Sequence, residues 1–449
     1  MQIHDLLTQY RTGRQTPEET VEAVYDRIHS ADTNAWITLR PKAAVIDDVN
    51  SLGAQAEHPL YGVPFAVKDN IDFAGVPTTA GCPGYSYDPS TSATVVSKLV
   101  DAGALLIGKT NMDQFASGLV GTRSPYGACR NVHNGDYISG GSSSGSAVAV
   151  ARNHVAFALG TDTAGSGRVP AALNGLVGLK PSRGALSTAG VVPACRSLDC
   201  ISVFAHSCKE AALVTEVASG YDPDDPYSRT DRTLDRSGDG RRSPELGSLT
   251  VGKPDADGLE FFGDAEAKAL FSAAVDAVRS RFGVVSPVDF ELFDETASLL
   301  YDGPWVAERL SAIREFVHEN GEEVHPVVRE ILSRGENYSA VETFEALHEL
   351  AQLKRRCERL FGGDGIDIMV TPTVGTAYTR AEIHDRPIER NSRLGYYTDY
   401  VNLLDLSAIS VPAGQFADGP RFGLTVLGEA GEDRRIVAVG REIRAALDR

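Results

Sequence analysis

The amino-acid sequence predicts an α/β protein built on a mixed and largely covered β-sheet. Short apolar segments typical of buried strands alternate with segments in which apolar residues recur at helical spacing. The chain has 449 residues, of which 42% are hydrophobic and 23% charged. Such a composition can bury a large core and points to neither a disordered nor a fibrous protein.

The N-terminal half begins with a clear helix start. Thr16-Pro17-Glu18-Glu19 combines a capping box with proline at the first helical position, and Val21, Val24 and Ile28 then form one apolar face. The segments that follow alternate between predicted strands and predicted helices. They are predicted as a strand at 63–67, a helix at 93–102, a strand at 104–107, a helix at 146–151 and a strand at 155–159.

The second half opens with a polar segment, 222–248, which is rich in Asp, Arg, Ser and Pro and predicts an exposed connection. Beyond it, a helical insertion covers about 260–360 and is followed by two strands. Its helices are predicted at 264–282, 305–318 and 340–360, and the strands at 366–370 and just before Val411-Pro412-Ala413-Gly414. We therefore expect a single domain, 1–449, with its core at about 55–210 and 365–449.

The charge of the chain argues against two classes of partner. With 43 Lys+Arg against 61 Asp+Glu, the formal net charge is −18, which disfavours nucleic acid and anionic membrane surfaces. No apolar run approaches the roughly 20 residues that a membrane span needs. The start, MQIHDLLTQYRTG, has no basic region followed by an apolar core, so the predicted location is the cytoplasm.

Neither a metal nor another cofactor is predicted. The six cysteines are too sparse for a disulfide framework, and no CxxC pair or HExxH motif accompanies them, so buried thiols are expected. Residues 103–110 match the phosphate-binding pattern GxxxxGK[ST]. The four intervening residues are all apolar and form the predicted strand itself, which excludes a flexible phosphate loop.

Two turns of small residues carry the main functional signal. Ser139 to Ala147 is Gly/Ser-rich and opens into an apolar helical segment, and a second turn follows at Thr161 to Arg168. Consecutive small residues allow several backbone N–H groups to converge on one point, as an oxyanion requires. A serine at the end of such a turn is a candidate nucleophile.

A serine nucleophile needs a base, and Lys68 is the best candidate in this sequence. It stands at the end of an apolar strand, where burial disfavours the charged form and lowers the pKa of the amine. Ser–Lys pairs are a known variant of the catalytic triad. From local sequence alone, however, an ordinary salt bridge of Lys68 is the stronger interpretation.

Three motifs that follow one another in the sequence favour the catalytic role of Lys68 over a salt bridge. The succession of Lys68, Ser142 in GGSSSGSA and Ser166 in TDTAGSGRVP resembles the amidase signature family, over roughly residues 60 to 205 and again near the C-terminus. The resemblance implies a mixed sheet covered by helices on both sides. It also implies a Ser–Ser–Lys triad in which Ser166 is the nucleophile, Lys68 the base, and Ser142 the bridging serine that follows a cis peptide bond.

The resemblance also implies the remaining catalytic parts. The oxyanion amides fall on Thr163, Ala164, Gly165 and Ser166, and Gly167 stands where many members have a bulky apolar residue. In the implied mechanism Lys68 takes the proton of Ser142 while Ser142 takes that of Ser166. The Ser166 oxygen then attacks an amide carbonyl, and each oxyanion donor is worth about 3–4 kcal/mol in comparable sites.

Several segments are similar to those of allophanate hydrolases within this family. That similarity implies substrate binding by Tyr301 and Arg309, and a family segment that holds the substrate amide with a backbone carbonyl falls on Gly118. An arginine fork can bind the carboxylate of a small anionic amide through two hydrogen bonds. Without the resemblance, Arg309 could be a surface charge on a helix; Arg123 and Arg196 are weaker candidates for the same task.

The implied reaction is hydrolysis of allophanate (urea-1-carboxylate) to ammonia and N-carboxycarbamate. The sequence ends at Arg449, soon after the amidase body closes, so we expect only this deaminating step. The product would then lose CO₂ spontaneously or through a separate protein. The resemblance also implies a homodimer.

Two alternatives stay open at this point. The first is the same chemistry on another ureido or malonyl acid, such as ureidomalonate or malonamate. The second is the A-type subunit of a tRNA-dependent amidotransferase, against which stands the lack of a basic tRNA-facing tract. A non-catalytic scaffold is disfavoured because all three triad positions are filled.

Overall fold

A computed structural model describes residues 1–230, 246–362 and 365–448, and its centre is an 11-stranded mixed sheet. Residues 231–245, which form most of the predicted exposed connection, lie outside the described residues. The strands are β1 Trp36–Leu39, β2 Pro64–Lys68, β3 Leu105–Thr110, β4 Phe157–Thr161, β5 Val177–Lys180, β6 Ile201–Ala205, β7 Val251–Pro254, β8 Val285–Val288, β9 Ile368–Pro372, β10 Leu406–Gln415 and β11 Arg421–Glu429.

The sheet order is β1-β3-β2-β4-β6-β5-β10-β11-β9-β7-β8. Parallel pairing joins β3, β2 and β4 on one side and β9, β7 and β8 on the other, while the strands between pair antiparallel. Because β2 and β4 run parallel and side by side, their carboxyl ends meet at one edge of the sheet. Lys68 and Thr161 are the last residues of these two strands.

The core lies on both faces of the sheet, as the alternation of side chains along each strand requires. On β2, Phe65 and Val67 join the largest apolar cluster, whereas Ala66 between them joins a cluster on the opposite face. On β4, Phe157 and Ala158 divide between the faces in the same way. This arrangement confirms the α/β fold with helices on both sides.

The helices account for the predicted helical periodicity. The capping box at Thr16 is present, with both reciprocal hydrogen bonds formed. The helices are α1 Ile3–Arg11, α2 Pro17–His29, α3 Lys42–Ser51, α4 Thr94–Asp101, α5 Ser144–Ala151, α6 Arg168–Leu173, α7 Cys208–Ala218, α8 Ala265–Phe282, α9 Glu291–Tyr301, α10 Trp305–Glu319, α11 Pro326–Ser333, α12 Ala340–Leu360, α13 Arg380–Asp385, α14 Glu389–Gly395, α15 Tyr400–Leu403 and α16 Asp433–Leu447.

The prediction near the C-terminus was wrong in two respects. The strand expected to end before Val411 continues as β10 to Gln415, and a further strand, β11, follows it. Proline lacks an amide hydrogen and usually marks a strand end. Here Pro412 lies beside an irregularity of the β10–β11 register between Pro412 and Gly414, which lets the strand continue past it.

The other sequence-level features are as follows. All six cysteines are buried, as expected. None of the described helices is long and apolar enough to cross a membrane. The segment matching the phosphate-loop pattern is strand β3, and its Lys109 is buried at 3.8 Å from the Asp69 carboxylate.

Candidate active site

Lys68 ends the fully buried strand β2 and directs its amine at two hydroxyl groups. Nζ lies 2.7 Å from Ser142 Oγ and 2.7 Å from Thr161 Oγ1. Among the ion pairs of the described residues none involves Lys68, so the salt-bridge interpretation has no support. The amine is therefore a buried group whose near partners are neutral.

The surroundings lower the pKa of Lys68 to about 7. Burial is the main cause because it disfavours the charged amine, and the positive charge of Arg309 acts in the same direction. The carboxyl groups of Asp113, Asp199 and Asp162 act in the opposite direction. With this pKa about half of the lysine amines are neutral at pH 7 and can accept a proton.

Ser142 is fully buried at the turn that leads into helix α5. A cis peptide bond joins Gly141 to Ser142, as the resemblance implies. The Ser142 carbonyl oxygen accepts the amide of Asp113 at 3.1 Å, and the next amide, of Ser143, reaches the Ser166 carbonyl at 3.4 Å. The two small-residue turns are thus joined through their backbones.

Ser166 is also buried and lies on the second turn. Its hydroxyl donates to the Gly118 carbonyl oxygen over 3.5 Å. A hydrogen bond between the Ser142 and Ser166 hydroxyls is not among those formed by the described residues. Within the described residues, hydrogen bonds therefore join Lys68 to Ser142 and Ser166 to Gly118, and none joins the two serine hydroxyls.

Three of the four proposed oxyanion amides have no acceptor within the described part of the chain, namely those of Thr163, Ala164 and Ser166. The fourth differs from the expectation. The Gly165 amide donates to Asp162 Oδ1 at 2.8 Å, so it is already engaged. Three of the amides that follow strand β4 thus remain available as donors.

Asp162 holds this turn in place through a buried ion pair with Arg168. The Asp162 carboxylate receives Arg168 Nε and Nη2, each at 2.9 Å, and also the Gly167 amide at 3.1 Å. Burial opposes ionisation of Asp162, but Arg168 outweighs it and lowers the pKa of Asp162. A side chain at Gly167 would stand 2.5 Å from Ser202, which explains the glycine at this position.

Asp199 supports the turn from the opposite side. Thr163 Oγ1 donates to Asp199 Oδ1 at 2.5 Å, and the same carboxyl group accepts the amides of Ala194 and Cys195. Burial raises the pKa of Asp199. The Thr163 side chain is thereby fixed while its amide stays available.

The loop that carries Gly118 is held by Asp113 and Arg123. The Asp113 carboxylate accepts the amides of Val120, Gly121 and Arg123. Arg123 donates Nη1 to the Ser117 carbonyl and Nη2 to the Pro387 carbonyl, both at 2.8 Å. Arg123, a weaker candidate for substrate binding, is thus committed to the backbone of this loop.

Arg309, on helix α10, is buried and has unused donors. Its Nε and Nη1 are shielded from solvent and have no hydrogen-bond partner among the described residues. Nη2 reaches the Tyr301 hydroxyl at 3.4 Å, and the guanidinium lies 5.2 Å from the centre of the Tyr301 ring. Burial opposes its charge, but Tyr301, Cys195 and other acidic groups outweigh burial and raise the pKa of Arg309.

Arg196, the other weaker candidate, is exposed. It lines a surface cavity together with Arg183 and Arg229, outside the buried group of Lys68, Ser142 and Ser166. The two arginines therefore differ in burial, since Arg309 is buried and Arg196 is exposed. Within the described residues no cluster of His, Cys, Asp and Glu is suited to a metal ion.

The comparisons with known proteins agree with this geometry. The family model described as Amidase matches residues 19–437. The chain belongs to the amidase family. It is an amidohydrolase.

Two relatives and one solved structure show which members of the family this chain is similar to. The urea amidolyase of Saccharomyces cerevisiae is 43% identical over 404 residues, which cover 88% of this chain and 21% of that protein. The A-type subunit of the glutamyl-tRNA(Gln) amidotransferase of Acidobacterium capsulatum is 31% identical, with 97% of each chain covered. The Kluyveromyces lactis allophanate hydrolase structure matches at a TM-score of 0.90 and 39% identity, covering 100% of this chain and 73% of that one.

The amidase chain spans about a fifth of the length of the urea amidolyases it matches. These matches confirm the resemblance to amidase signature proteins and, among them, to allophanate hydrolases. They also confirm the fold.

Sequence reasoning missed several groups that build this candidate site. Thr161 is the second hydroxyl on Lys68, Asp162 and Arg168 form the buried ion pair under the turn, and Asp199 holds Thr163. All but Asp199 lie in the motif TDTAGSGR itself. Their polar character inside an apolar part of the sequence was a usable signal, because buried charged groups need partners.

Proposed function

We propose that this chain hydrolyses allophanate to ammonia and N-carboxycarbamate with a Ser–Ser–Lys triad. The observation that carries the proposal is the Arg309 guanidinium, which is buried and has two donor nitrogens without a hydrogen-bond partner in the described part of the chain. A buried cation without a partner is costly, and a bound carboxylate would satisfy it. Allophanate is a small amide that carries such a carboxylate.

The positions of the other residues support the roles that we propose for them. Neutral Lys68 accepts the Ser142 proton, Ser142 accepts that of Ser166, and the Ser166 oxygen bonds to the amide carbon. The amides of Thr163, Ala164 and Ser166 receive the negative charge that develops on the carbonyl oxygen. The Gly118 carbonyl, 3.5 Å from Ser166 Oγ, accepts an N–H of the substrate amide.

The two products leave in successive steps. The relayed proton returns to the leaving nitrogen, so ammonia departs and the N-carboxycarbamyl group stays on Ser166. Water then attacks this ester, gives its proton back through the relay and frees N-carboxycarbamate. That product loses CO₂ spontaneously or through a separate protein.

The first experiment is ammonia release by the purified chain from allophanate, malonamate and ureidomalonate, with Ser166→Ala as the control. Turnover of allophanate alone, abolished by the substitution, supports the whole proposal. A preference for malonamate or ureidomalonate keeps the triad and removes the allophanate assignment. Unchanged turnover in Ser166→Ala overturns the proposed nucleophile.

A second candidate is favoured by one comparison. The A-type amidotransferase subunits match nearly end to end, at 31% and 30% identity in two examples. Glutamine also carries an amide and a carboxylate. Adding glutamine to the same assay separates the two functions, because hydrolysis of glutamine and silence on allophanate would select this candidate.

A further inference from the structure

Asp399, in the turn between helices α14 and α15, carries a buried carboxyl group that lacks a partner. The residue is 7% exposed, and its Oδ1 is shielded from solvent without a hydrogen-bond partner among the described residues. None of the ion pairs that those residues form includes Asp399. A buried polar group is costly unless a neighbour or a ligand satisfies it. The proposed reaction steps do not use this group.

The segment that carries Asp399 contacts two parts of the candidate site. Thr398 Oγ1 donates to the Ala164 carbonyl oxygen at 2.8 Å, on the turn with the available amides. Asn391, on α14, accepts the amide of Leu119 at 2.8 Å. The segment therefore extends from the oxyanion turn to the loop whose carbonyl oxygen accepts the hydroxyl of the proposed nucleophile.

The glycine at position 395 makes room for the Asp399 carboxyl group. A side chain on Gly395 would place its first carbon 2.3 Å from Asp399 Oδ2, far inside van der Waals contact. The carboxyl group thus lies against the last residue of α14, within the protein, and not at the surface.

Arg309 is a charged neighbour of Asp399. Burial raises the pKa of Asp399 well above its ordinary range, and the positive charges of Arg309 and Arg168 oppose that rise. Asp399 is in turn among the acidic groups that outweigh burial and raise the pKa of Arg309. The two side chains are nevertheless not in ion-pair contact. Within the described part of the chain, two donor nitrogens of Arg309 and the Oδ1 acceptor of Asp399 therefore remain unused.

Allophanate offers a partner to each of these groups. Its carboxylate suits the free donors of Arg309, and the N–H bonded directly to the carboxylate carbon suits the free oxygen of Asp399. Malonamate has the same carboxylate and the same amide, but a CH₂ group stands in place of that N–H. A buried oxygen that faces CH₂ stays unpaired, and a site built to bind an N–H therefore rejects the analogue that lacks it.

We propose that Asp399 determines substrate specificity by accepting a hydrogen bond from the N–H that adjoins the carboxylate held by Arg309. Asp399 thereby selects ureido acids over malonyl acids, a role that rests on the proposed function. A neutral carboxyl group still has an accepting oxygen, so this role needs no charge on Asp399. A neutral Asp399 also avoids repulsion of the substrate carboxylate.

The test compares ammonia release from allophanate and from malonamate. Asp399→Leu removes the acceptor and should lower the ratio of kcat/KM for allophanate to that for malonamate by about 100-fold. Asp399→Asn is the matched variant, because its amide oxygen still accepts an N–H, and its ratio should stay within about tenfold of the wild-type ratio. Equal losses on both substrates in Asp399→Leu, or a ratio as low in Asp399→Asn as in Asp399→Leu, overturn the proposal.

Binding measurements separate the role of Asp399 from the proposed catalytic function. Calorimetry on Ser166→Ala, with and without Asp399→Leu, gives the dissociation constants of allophanate and malonamate in the absence of turnover. A preference for allophanate that Asp399→Leu abolishes supports the role, even if the wild-type chain hydrolyses neither acid. Equal affinities of Ser166→Ala for the two acids, or the same preference in both variants, overturn it.

Thermal unfolding checks that the variants fold. Asp399→Leu should unfold at the same or a higher temperature than the wild-type chain, because it replaces an unpaired buried carboxyl group with an apolar side chain. Asp399→Asn keeps the shape of the side chain and provides the second measurement of specificity. A change of the substrate ratio with an unchanged unfolding temperature is the result that a merely structural role of Asp399 would not produce.

Discussion

The Lys68 amine is buried, and its immediate neighbours are the hydroxyl oxygens of Ser142 and Thr161. Each can accept an N–H from the amine, but neither carries a charge that would hold the proton. Burial therefore dominates and lowers the pKa of Lys68 to about 7. Because the proposed mechanism needs the neutral amine, the activity should depend on this ionisation.

We expect kcat/KM for the preferred substrate to rise with pH through a midpoint of about 7 and then to level off. Thr161→Val removes a hydroxyl that stabilises the protonated amine, so the midpoint should shift to lower pH while kcat falls about tenfold through poorer positioning of Lys68. A pH–rate profile of both proteins checks this. Thr161→Ser retains the hydroxyl and should restore the wild-type midpoint; an identical midpoint in all three would contradict the role given to Thr161.

Arg309 supplies the second prediction at this scale. Arg309→Met should lower kcat/KM for an anionic amide by about 100-fold or more, mainly through KM, because the carboxylate loses a desolvated charged partner. The free protein should unfold at the same or a higher temperature, because methionine removes a buried cation whose one hydrogen bond among the described residues is the long contact, 3.4 Å, with Tyr301. Steady-state kinetics and thermal unfolding measure the two effects.

The exposed Arg196 provides the matched control for Arg309. Arg196→Met should leave kcat/KM within a factor of about two, because an exposed charge in high dielectric contributes little. If Arg196→Met and Arg309→Met lowered the rate equally, the assignment of the carboxylate site would be wrong.

At the residue scale, the resemblance predicted that Lys68, Ser142 and Ser166 act together, and this triad stays a prediction. The structure places Lys68 and Ser142 in hydrogen-bond contact. The engagement of the Gly165 amide was missed, because it depends on which way the Asp162 carboxylate turns. A sequence does not state that orientation.

At the scale of elements, the turn from β4 to α6 depends on one buried ion pair. Asp162 and Arg168 are both fully shielded, and the Asp162 carboxylate also accepts three amides of the turn. Arg168→Met would leave the carboxylate buried without its cation. We expect the free energy of unfolding to fall by about 3–5 kcal/mol, measured by urea denaturation.

The exposed pair of Arg334 and Glu330, at 3.1 Å, offers the comparison. Arg334→Met should change the free energy of unfolding by less than about 0.5 kcal/mol. Equal losses in the two variants would show that the buried pair has no special part in holding the turn.

Element boundaries were predicted well where local rules decide them. The capping box at Thr16 marks the start of α2, and α12 spans 340–360 as its periodicity indicated. Strand β11 was missed, and β10 was predicted to end before Val411. A strand can continue past a proline such as Pro412 only where the pairing with the neighbouring strand is irregular, as it is between β10 and β11. That register is a tertiary property.

At the scale of the whole molecule, the α/β class was predictable but the strand order was not. The alternation of strands and helices indicates a covered sheet, whereas β10 reaches its place between β5 and β11 from more than 200 residues away. Nothing local to either segment encodes that pairing. The same long-range packing also buries ionisable groups that the sequence alone leaves unassigned.

His154 is one of these groups and leads to a prediction about the whole molecule. Burial is the main cause that lowers the pKa of His154 to about 4, and Arg27 and Arg152 act in the same direction. Its ring is held by Trp36, whose Nε1 donates to His154 Nδ1 at 3.2 Å, a contact that needs the neutral ring. The unfolded chain binds a proton at His154 below about pH 6.5, whereas the folded chain does not until about pH 4.

Between about pH 7 and 5 the unfolded chain binds more protons at His154 than the folded chain does, so the contribution of this residue to stability should fall as the pH is lowered. With the pKa change above, His154 alone contributes a loss of about 2 kcal/mol. His154→Gln keeps an acceptor for Trp36 but does not titrate, so the variant should lose that much less on acidification. Urea denaturation at the two pH values measures the difference, with the exposed His384→Gln as the control that should behave like wild type. Equal acid sensitivity of His154→Gln and wild type would show that His154 does not link proton binding to folding.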